Sequence, residues 1–171
     1  MFQQIESNPQ NCKVFNHSLS LAKSSSDGGK YLVERGADIY IGKILYGIYN
    51  PEKTILVAGA AIIDGEIASI FKNFELVKKL NMNIKVLRTL MPILISGGGT
   101  HLVCQEEHLK IYRTFGFEPV ARCKPTDNEP EKYYLCTSET ATGKILKTNT
   151  YEDAKTFQKL LANNKVEVSN Q

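Results

Sequence analysis

The stretch that decides the fold is residues 100–120, THLVCQEEHLKIYRTFGFEPV. Its apolar pattern predicts a short buried strand over Thr100–Gln105 and a short helix over Glu107–Phe115. Gly116 then ends the helix, because glycine readily adopts the left-handed backbone that follows a helix C-terminus. A second strand is predicted over Phe117–Lys124, so the stretch is a strand–helix–strand unit.

Upstream of residue 100 the pattern predicts a three-stranded meander. A β-rich, mostly alternating run from Asp38 to Tyr49 predicts its first strand, and Thr54–Ile63, apolar at nearly every position, predicts its second. Asp64-Gly65 is a strong signal for a two-residue hairpin, which leads into a third strand over Glu66–Phe71. Because the connections are so short, neighbouring strands must be antiparallel.

Two helical segments are predicted before the meander. Loosely spaced apolar residues over Cys12–Ala22 predict a helix, with Asn11 or Asn16 as its N-cap. After a polar break, Lys30–Arg35 predicts one more helical turn. Residues 1–35 are thus expected to form an N-terminal helical region.

A longer helical segment is predicted after the meander. Apolar residues recur at three and four positions over residues 74–91, and Pro92 is expected at a kink or near a first turn. The run Ser96–Gly99 ends the segment. It is interpreted as a tight connection from helix to strand, with ligand contact as the alternative.

The rest of the chain completes an α+β pattern. A polar loop over Pro125–Pro130 and a strand over Lys132–Thr137 are predicted, followed by an amphipathic helix from Thr150 to about Leu161. Residues 164–171 are expected to be a frayed tail. The order of elements favours a mixed, mostly antiparallel central sheet with flanking helices, in a single domain over residues 1–171.

The composition is that of an ordinary globular protein. Of its 171 residues, 42% are hydrophobic and 23% are charged, which is enough apolar surface to exclude an intrinsically disordered chain. No apolar stretch approaches the roughly 20 residues needed to cross a bilayer, so no membrane partner is expected. The net charge of +3 is too small to indicate nucleic acid by itself.

The cysteines and histidines indicate neither a metal site nor a redox pair. No two of the four cysteines are two residues apart, which excludes a CxxC pair or a zinc ribbon. Cys104 and Cys136 are expected to pack in strands as free thiols. Free thiols in a chain of this length favour a reducing compartment, so a cytoplasmic location is expected.

The deciding stretch resembles the end of the GCN5-related N-acetyltransferase fold. That superfamily carries a recurrent LYxxxGF signature where a short helix turns into the next strand, and Ile111, Tyr112, Gly116 and Phe117 match it here. The meander fits the same resemblance, which covers about residues 38–137 in element order. The resemblance implies an acyltransferase with acetyl-coenzyme A or another acyl-coenzyme A as co-substrate and an amine as acceptor.

The resemblance also implies where the chemistry takes place. In these enzymes an acyl thioester binds in a cleft between two diverging strands, here Glu66–Phe71 and Thr100–Gln105. Tyr112 matches the tyrosine that protonates the departing thiolate, the alternative being a ring that packs on the sheet. Glu66 matches a carboxylate that activates the amine, and Ser69 is placed to hydrogen-bond the substrate. The alternative for Glu66 is a solvated residue at the end of a hairpin, and the alternative for Ser69 is a buried strand residue without a role in binding.

The cofactor positions follow from the same resemblance. The pantetheine arm of coenzyme A would be held by strand-like hydrogen bonds from the backbone of Ile70, Phe71 and Lys72.

One departure from the family concerns the pyrophosphate. The family's glycine-rich pyrophosphate turn has no counterpart in residues 74–84, which contain no glycine. In its place, Lys78 and Lys79 would supply charge, and Asn81 or Asn83 would accept an unusual backbone angle.

Other functions remain open from the sequence. The same fold without coenzyme A chemistry would be a binding module, or it would modify a nucleobase with another donor, as some phage relatives are thought to do. A further alternative is nucleic-acid association through the basic residues of the helical segment, which are Lys72, Lys78, Lys79, Lys85 and Arg88.

Overall fold

A computed structural model describes residues 2–123, 132–137 and 146–148 of the chain. The chain divides into two compact units, residues 1–99 and residues 100–171. The expected single domain over residues 1–171 stays a prediction.

The first unit is built on an antiparallel sheet. Its strands lie in sequence order and are β1 (Gln3–Ile5), β2 (Ile44–Tyr49), β3 (Leu56–Ile63) and β4 (Glu66–Lys72). The side chains of β3 are buried up to its last residue, as its apolar run predicts, whereas β4 alternates between half-buried and buried positions. The β3–β4 turn is the predicted hairpin, with positive φ at both Asp64 and Gly65.

Three α-helices accompany this sheet: α1 (Pro9–Lys23), α2 (Phe74–Lys79) and α3 (Val86–Ser96). The predicted N-caps of the first helix are wrong, because the Asn8 side chain accepts the hydrogen bond from the Asn11 backbone N–H at 2.8 Å. Pro9 follows Asn8 at the first helical position, where a missing N–H removes no helical bond.

The core of the first unit lies between α1 and the sheet. Phe15 of α1 packs its ring against Tyr40 at 4.8 Å and edge-on against Phe71 of β4 at 5.2 Å between centroids. Phe15 and Tyr40 are fully buried. This aromatic cluster fixes the face of β4 that points towards α1.

The segment between α1 and β2 differs from the prediction. The helical turn expected over Lys30–Arg35 is wrong: a 3-10 helix lies earlier, over Asp27–Tyr31. The strand expected from Asp38 is also wrong at its start, because Ala37–Tyr40 form a second 3-10 helix. Its fully buried Tyr40 ring packs on α1, which an extended strand of the sheet would not allow.

The third helix contains Pro92, and the predicted kink there stays a prediction. Pro92 lies in the interior of α3, where it removes one backbone hydrogen bond but does not end the helix. The helix ends as predicted at the glycine run, because Gly98 has φ 99° and the Gly99 N–H bonds to the Leu94 carbonyl at 2.8 Å. The glycines thus form a tight helix end, as the first interpretation predicts.

The second unit carries the deciding stretch. Its elements are β5 (His101–Gln105), a 3-10 turn (Glu106–His108), α4 (Leu109–Arg113), β6 (Phe117–Cys123), β7 (Lys132–Thr137) and β8 (Leu146–Thr148). β7 pairs antiparallel with both β5 and β6, and β8 pairs parallel with β6. Gly116 has φ 89° and Phe117 is fully buried, which confirms the predicted helix end and anchor.

Several predictions concern residues outside this description. The loop over Pro125–Pro130, the helix from Thr150 to Leu161 and the tail 164–171 lie outside the described residues. Within the part of the chain that the structure describes, no helix is long and apolar enough to cross a membrane.

Candidate functional site

The strand predicted to bind a thioester, β4, contains a β-bulge at Ala68. Ser69 pairs with Ala61, but the next residue along β3, Ile62, pairs with Ile67. Ala68 is therefore an extra residue without a partner position on β3. Bulges bend a strand and redirect its side chains, and they are over-represented next to active sites.

The bulge brings two predicted site residues to one face of the sheet. Glu66 pairs with Ile63, and Ser69 pairs with Ala61. Ala61 belongs to the buried cluster beneath α1, and Ile63 packs against that cluster. Because directly opposed residues share a face, Glu66 and Ser69 both lie on the α1 face. Three residues apart in a regular strand, they would lie on opposite faces.

The side of β4 that faces away from β3 carries its own backbone groups. The Asn73 N–H donates to the Val57 carbonyl on β3 at 2.8 Å, which fixes the alternation of the ladder. The backbone groups of Phe71 and Ser69, two and four residues before Asn73, therefore also form hydrogen bonds with β3. The N–H and C=O groups of Ile70 and Lys72 point away from β3.

Ser69 is held in a buried hydrogen-bond network. Its side chain is 4% exposed, and its hydroxyl lies 3.1 Å from the Tyr40 hydroxyl. Arg35 donates from Nη1 to the Ser69 hydroxyl at 3.2 Å and to the Ala68 carbonyl at 3.0 Å. The bulge carbonyl and the serine thus share one guanidinium nitrogen.

Arg35 is a residue that the sequence analysis missed as a site candidate. It follows the first 3-10 helix in an irregular segment, and nothing in its sequence neighbourhood marks it as different from other surface arginines. Its role depends on a contact across 33 residues to the bulge of β4, and the bulge is itself not visible in the sequence.

Lys72 is engaged within the first unit. Its Nζ donates to the Ile84 carbonyl at 3.0 Å and lies 5.0 Å from the centroid of the Phe74 ring. Its backbone carbonyl accepts a 3.4 Å bond from the Ser25 hydroxyl. These contacts hold the Lys72 ammonium beside Ile84 and Phe74, and nucleic-acid association through Lys72 stays a prediction.

The residues predicted to replace the glycine-rich turn lie on α2 and after it. Lys78 and Lys79 are exposed in the last turn of α2. Asn81 has φ 53°, so it adopts the backbone angle that the sequence analysis expected of it. Asn83 is exposed and does not have a positive φ.

Helix α3 begins at Val86, beyond residues 74–84, where the family's phosphate-binding turn would lie. Lys85, at its N-cap, makes no side-chain capping bond, and the first turn contains no acidic residue. Lys85 and Arg88 are exposed beside this helix start. Uncapped N–H groups with adjacent cations favour an anion. This helix start has no signal in the sequence, because the apolar spacing runs on from residue 74 to 91 without a break.

In the second unit, Tyr112 lies on α4 and Cys104 lies on β5. Burial, and secondarily the neighbouring Cys104 thiol, raise the pKa of Tyr112 well above its usual value. Burial also raises the pKa of Cys104 to about 12. Both groups therefore stay protonated at neutral pH. Cys104 is a buried free thiol, as predicted.

His101, the first residue of β5, is also buried. Its Nδ1 lies 3.0 Å from the Thr100 hydroxyl, and burial lowers its pKa. Within the described part of the chain its Nε2 has no hydrogen-bond partner. The ring is thus kept neutral in the fold.

Two other features lie apart from the predicted residues. Among the residues that the structure describes, no three His, Cys, Asp or Glu side chains gather where they could hold a metal ion. An open cavity of about 400 Å³ is lined by Tyr46, Pro92, Ile93, Ser96 and Gly97. None of the residues predicted for catalysis or cofactor binding lines it.

The chain is similar in fold to solved structures. Escherichia coli ElaA has a TM-score of 0.54 with 14% sequence identity, covering 80% of this chain and 98% of that chain. The ribosomal-protein-S18-alanine N-acetyltransferase of Escherichia coli has a TM-score of 0.49 with 11% identity, covering 80% and 93%. No protein-family model matches the chain, and no curated protein matches it in sequence.

The similarity to ElaA spans nearly the whole of that protein, so it concerns the complete fold. The predicted fold class, α+β with a mostly antiparallel sheet and flanking helices, is confirmed. The chain has the fold of the GCN5-related N-acetyltransferases, as its resemblance in sequence predicts.

Proposed function

We propose that the protein is an N-acyltransferase that transfers an acyl group from a coenzyme A thioester to the nitrogen of an amine. The observation that carries the proposal is the bulged β4 of this fold, in which the backbone groups of Ile70 and Lys72 point away from β3. A cytoplasmic location is part of the proposal.

We propose that the pantetheine arm binds the side of β4 that faces away from β3. The arm contains two amides, and an extended chain of amides binds a strand edge through main-chain hydrogen bonds. Ile70 and Lys72 direct backbone N–H and C=O groups to that side, where the Ser25 hydroxyl also contacts the Lys72 carbonyl, while Phe71 between them is anchored by its ring on Phe15. Of the three predicted pantetheine residues, two therefore offer backbone groups and one fixes the strand.

The pyrophosphate fits the start of α3 rather than a glycine-rich turn. The N–H groups of the first helical turn are uncapped by a side chain, and Lys85 and Arg88 flank them. Lys78, Lys79, Asn81 and Asn83 belong to the same connection between β4 and α3, and we propose that they border the nucleotide. Charge and uncapped donors thus replace the glycines that this connection lacks.

Two side chains are proposed to move the protons. When bound, the thioester supplies an activated acyl carbon, which forms a C–N bond with the amine as the C–S bond breaks. Glu66 accepts a proton from the attacking amine, and Tyr112 donates its phenolic proton to the departing sulfur. A phenol whose pKa is raised by burial remains protonated and can serve as this acid. Ser69 acts by holding Arg35 beside the bulge.

The test is calorimetric titration with acetyl-coenzyme A, followed by release of free thiol in the presence of a mixture of primary amines. We expect saturable binding, and an affinity about tenfold weaker in a Lys85→Ala/Arg88→Ala variant, as loss of phosphate contacts predicts. Lys13→Ala, which removes an exposed charge from α1, is the matched control and should bind normally. The absence of any binding heat at millimolar ligand would favour the binding-module alternative.

A further inference from the structure

We infer that the amine acceptor carries a carboxylate and that Arg35 binds it, an inference that rests on the proposed acyl transfer. The acceptor is then an amino carboxylate, such as a free amino acid. The carboxylate binds the edge of the guanidinium formed by Nε and Nη2.

The first support is the way Arg35 is held. Both of its hydrogen bonds, to the Ala68 carbonyl and to the Ser69 hydroxyl, are donated by Nη1. The Ser69 hydroxyl is itself fixed by Tyr40, which is fully buried. The guanidinium plane is therefore oriented before any ligand arrives. Ordered donors of this kind lose less entropy on binding.

The second support is the free edge of the same side chain. Nε and Nη2 carry three N–H donors, and the structure gives them no partner among the residues that it describes. This edge matches a carboxylate in the two-point, parallel geometry that arginine forms with planar anions. A lysine at this position would lack that geometry.

The third support is the charge of the surroundings. Arg35 is half-buried, and no ion pair within the described part of the chain includes it. A partly desolvated cation without a counter-ion is stabilised by an anionic ligand more than a fully hydrated one is. The site therefore favours an acceptor with a negative charge.

The fourth support is the position of Arg35 relative to the proposed base. Arg35 bonds to Ser69 and the bulge, and the bulge places Glu66 on the same face of the sheet as Ser69. An amine that delivers its proton to Glu66 thus lies on the face where Arg35 holds a carboxylate. This pairing of a base with a cation selects a molecule bearing both an amine and a carboxylate.

The inference is tested first without any turnover. The Nε–Hε signal of Arg35, assigned by its loss in Arg35→Lys, is followed by NMR during titration with N-acetylglycine and with N-acetylglycinamide. We expect the carboxylate probe to shift the signal saturably and the amide to leave it unchanged. No shift with either probe, or equal shifts with both, overturns the inference, whether or not acetyl-coenzyme A binds.

Kinetics then separate the carboxylate role from a structural one. Free amino acids and their α-amides are compared as acceptors, with thiol release from acetyl-coenzyme A as the signal. We expect Arg35→Met to raise KM for the acids roughly 10- to 100-fold more than KM for the amides, the range for a lost charged hydrogen bond. An equal loss for both acceptors would assign Arg35 only to holding the bulge. Failure of acetyl-coenzyme A to bind would instead reject the proposed transfer.

Discussion

Strand β4 and the β5–α4 segment hold their candidate residues in different ways. On β4, the inward side chains are engaged by others: Ser69 by Tyr40 and Arg35, and Phe71 by Phe15. On β5 and α4, the notable groups are titratable side chains whose pKa values are shifted by burial, namely His101, Cys104 and Tyr112.

This difference separates the proposed binding of coenzyme A from the proposed proton donation to its sulfur. Because the inward side chains of β4 are used to hold the strand, β4 is suited to offer its backbone to a ligand. The β5–α4 segment instead keeps a phenol and a thiol protonated by excluding water. We expect changes in β4 packing to act on stability and binding, and changes at Tyr112 to act on turnover.

The largest effect is expected from Tyr112→Phe, which removes the proposed acid and keeps the ring. Loss of a general acid typically lowers kcat by about 10²- to 10⁴-fold, and the affinity for acetyl-coenzyme A should stay unchanged. Steady-state thiol release and calorimetric titration measure the two quantities separately.

Tyr49→Phe is the matched control for that variant. Tyr49 lies in β2 of the first unit and is half-buried, so it loses the same hydroxyl outside the proposed site. A Tyr112→Phe enzyme as active as Tyr49→Phe would reduce Tyr112 to a packing residue.

The next effect concerns the packing of β4. Phe71→Ala removes a 2%-exposed ring from the cluster with Phe15, and such truncations cost about 3–5 kcal/mol of unfolding free energy. Phe74→Ala is the control, because that ring is 50% exposed and its loss should change stability by about 0.5 kcal/mol or less. Urea denaturation followed by circular dichroism measures both. Equal losses would show that β4 is not anchored through this cluster.

The elements of the fold were largely predictable because their signals are local. Asp64-Gly65 specifies a tight hairpin, Gly116 ends α4, and β7 coincides with the predicted Lys132–Thr137. The errors lie where tertiary packing decides. The Tyr40 ring turns onto Phe15, so the backbone around it is a 3-10 helix instead of the strand that its β-branched neighbours suggest.

The candidate site was less predictable for the same reason. A bulge depends on the register between two strands, so no residue of β4 signals that Ala68 is extra or that Glu66 and Ser69 share a face. The contact of Arg35 with that bulge likewise joins parts of the chain that no sequence pattern connects. Tyr112 was found because a short signature surrounds it, and its catalytic role stays a prediction.

The smallest expected effect is the pH dependence of stability, which tests whether the titratable side chains of β5 and α4 are buried. His101 has a pKa below its ordinary 6.5 in the fold, so the unfolded chain binds more protons as the pH falls below about 6.5. Stability should therefore be lost on the acid side, at a rate of at most about 1.4 kcal/mol per pH unit. His101→Gln should reduce this loss of stability at acid pH, whereas His17→Gln, which alters an exposed residue, should not.

Stability is also expected to fall as the pH rises into the alkaline range, and a different group causes this loss. Cys104 ionises near pH 9.0 when unfolded and only at about 12 when folded, so raising the pH above 9 favours the unfolded chain. Cys104→Ala should reduce this loss, and the remainder comes from Tyr112 and from Cys12 of α1, whose pKa values burial also raises. The midpoints of urea denaturation at pH 5, 7.5 and 10 measure the loss of stability at acid pH and at alkaline pH. A profile that Cys104→Ala and His101→Gln both leave unchanged would mean that water reaches these groups in the fold.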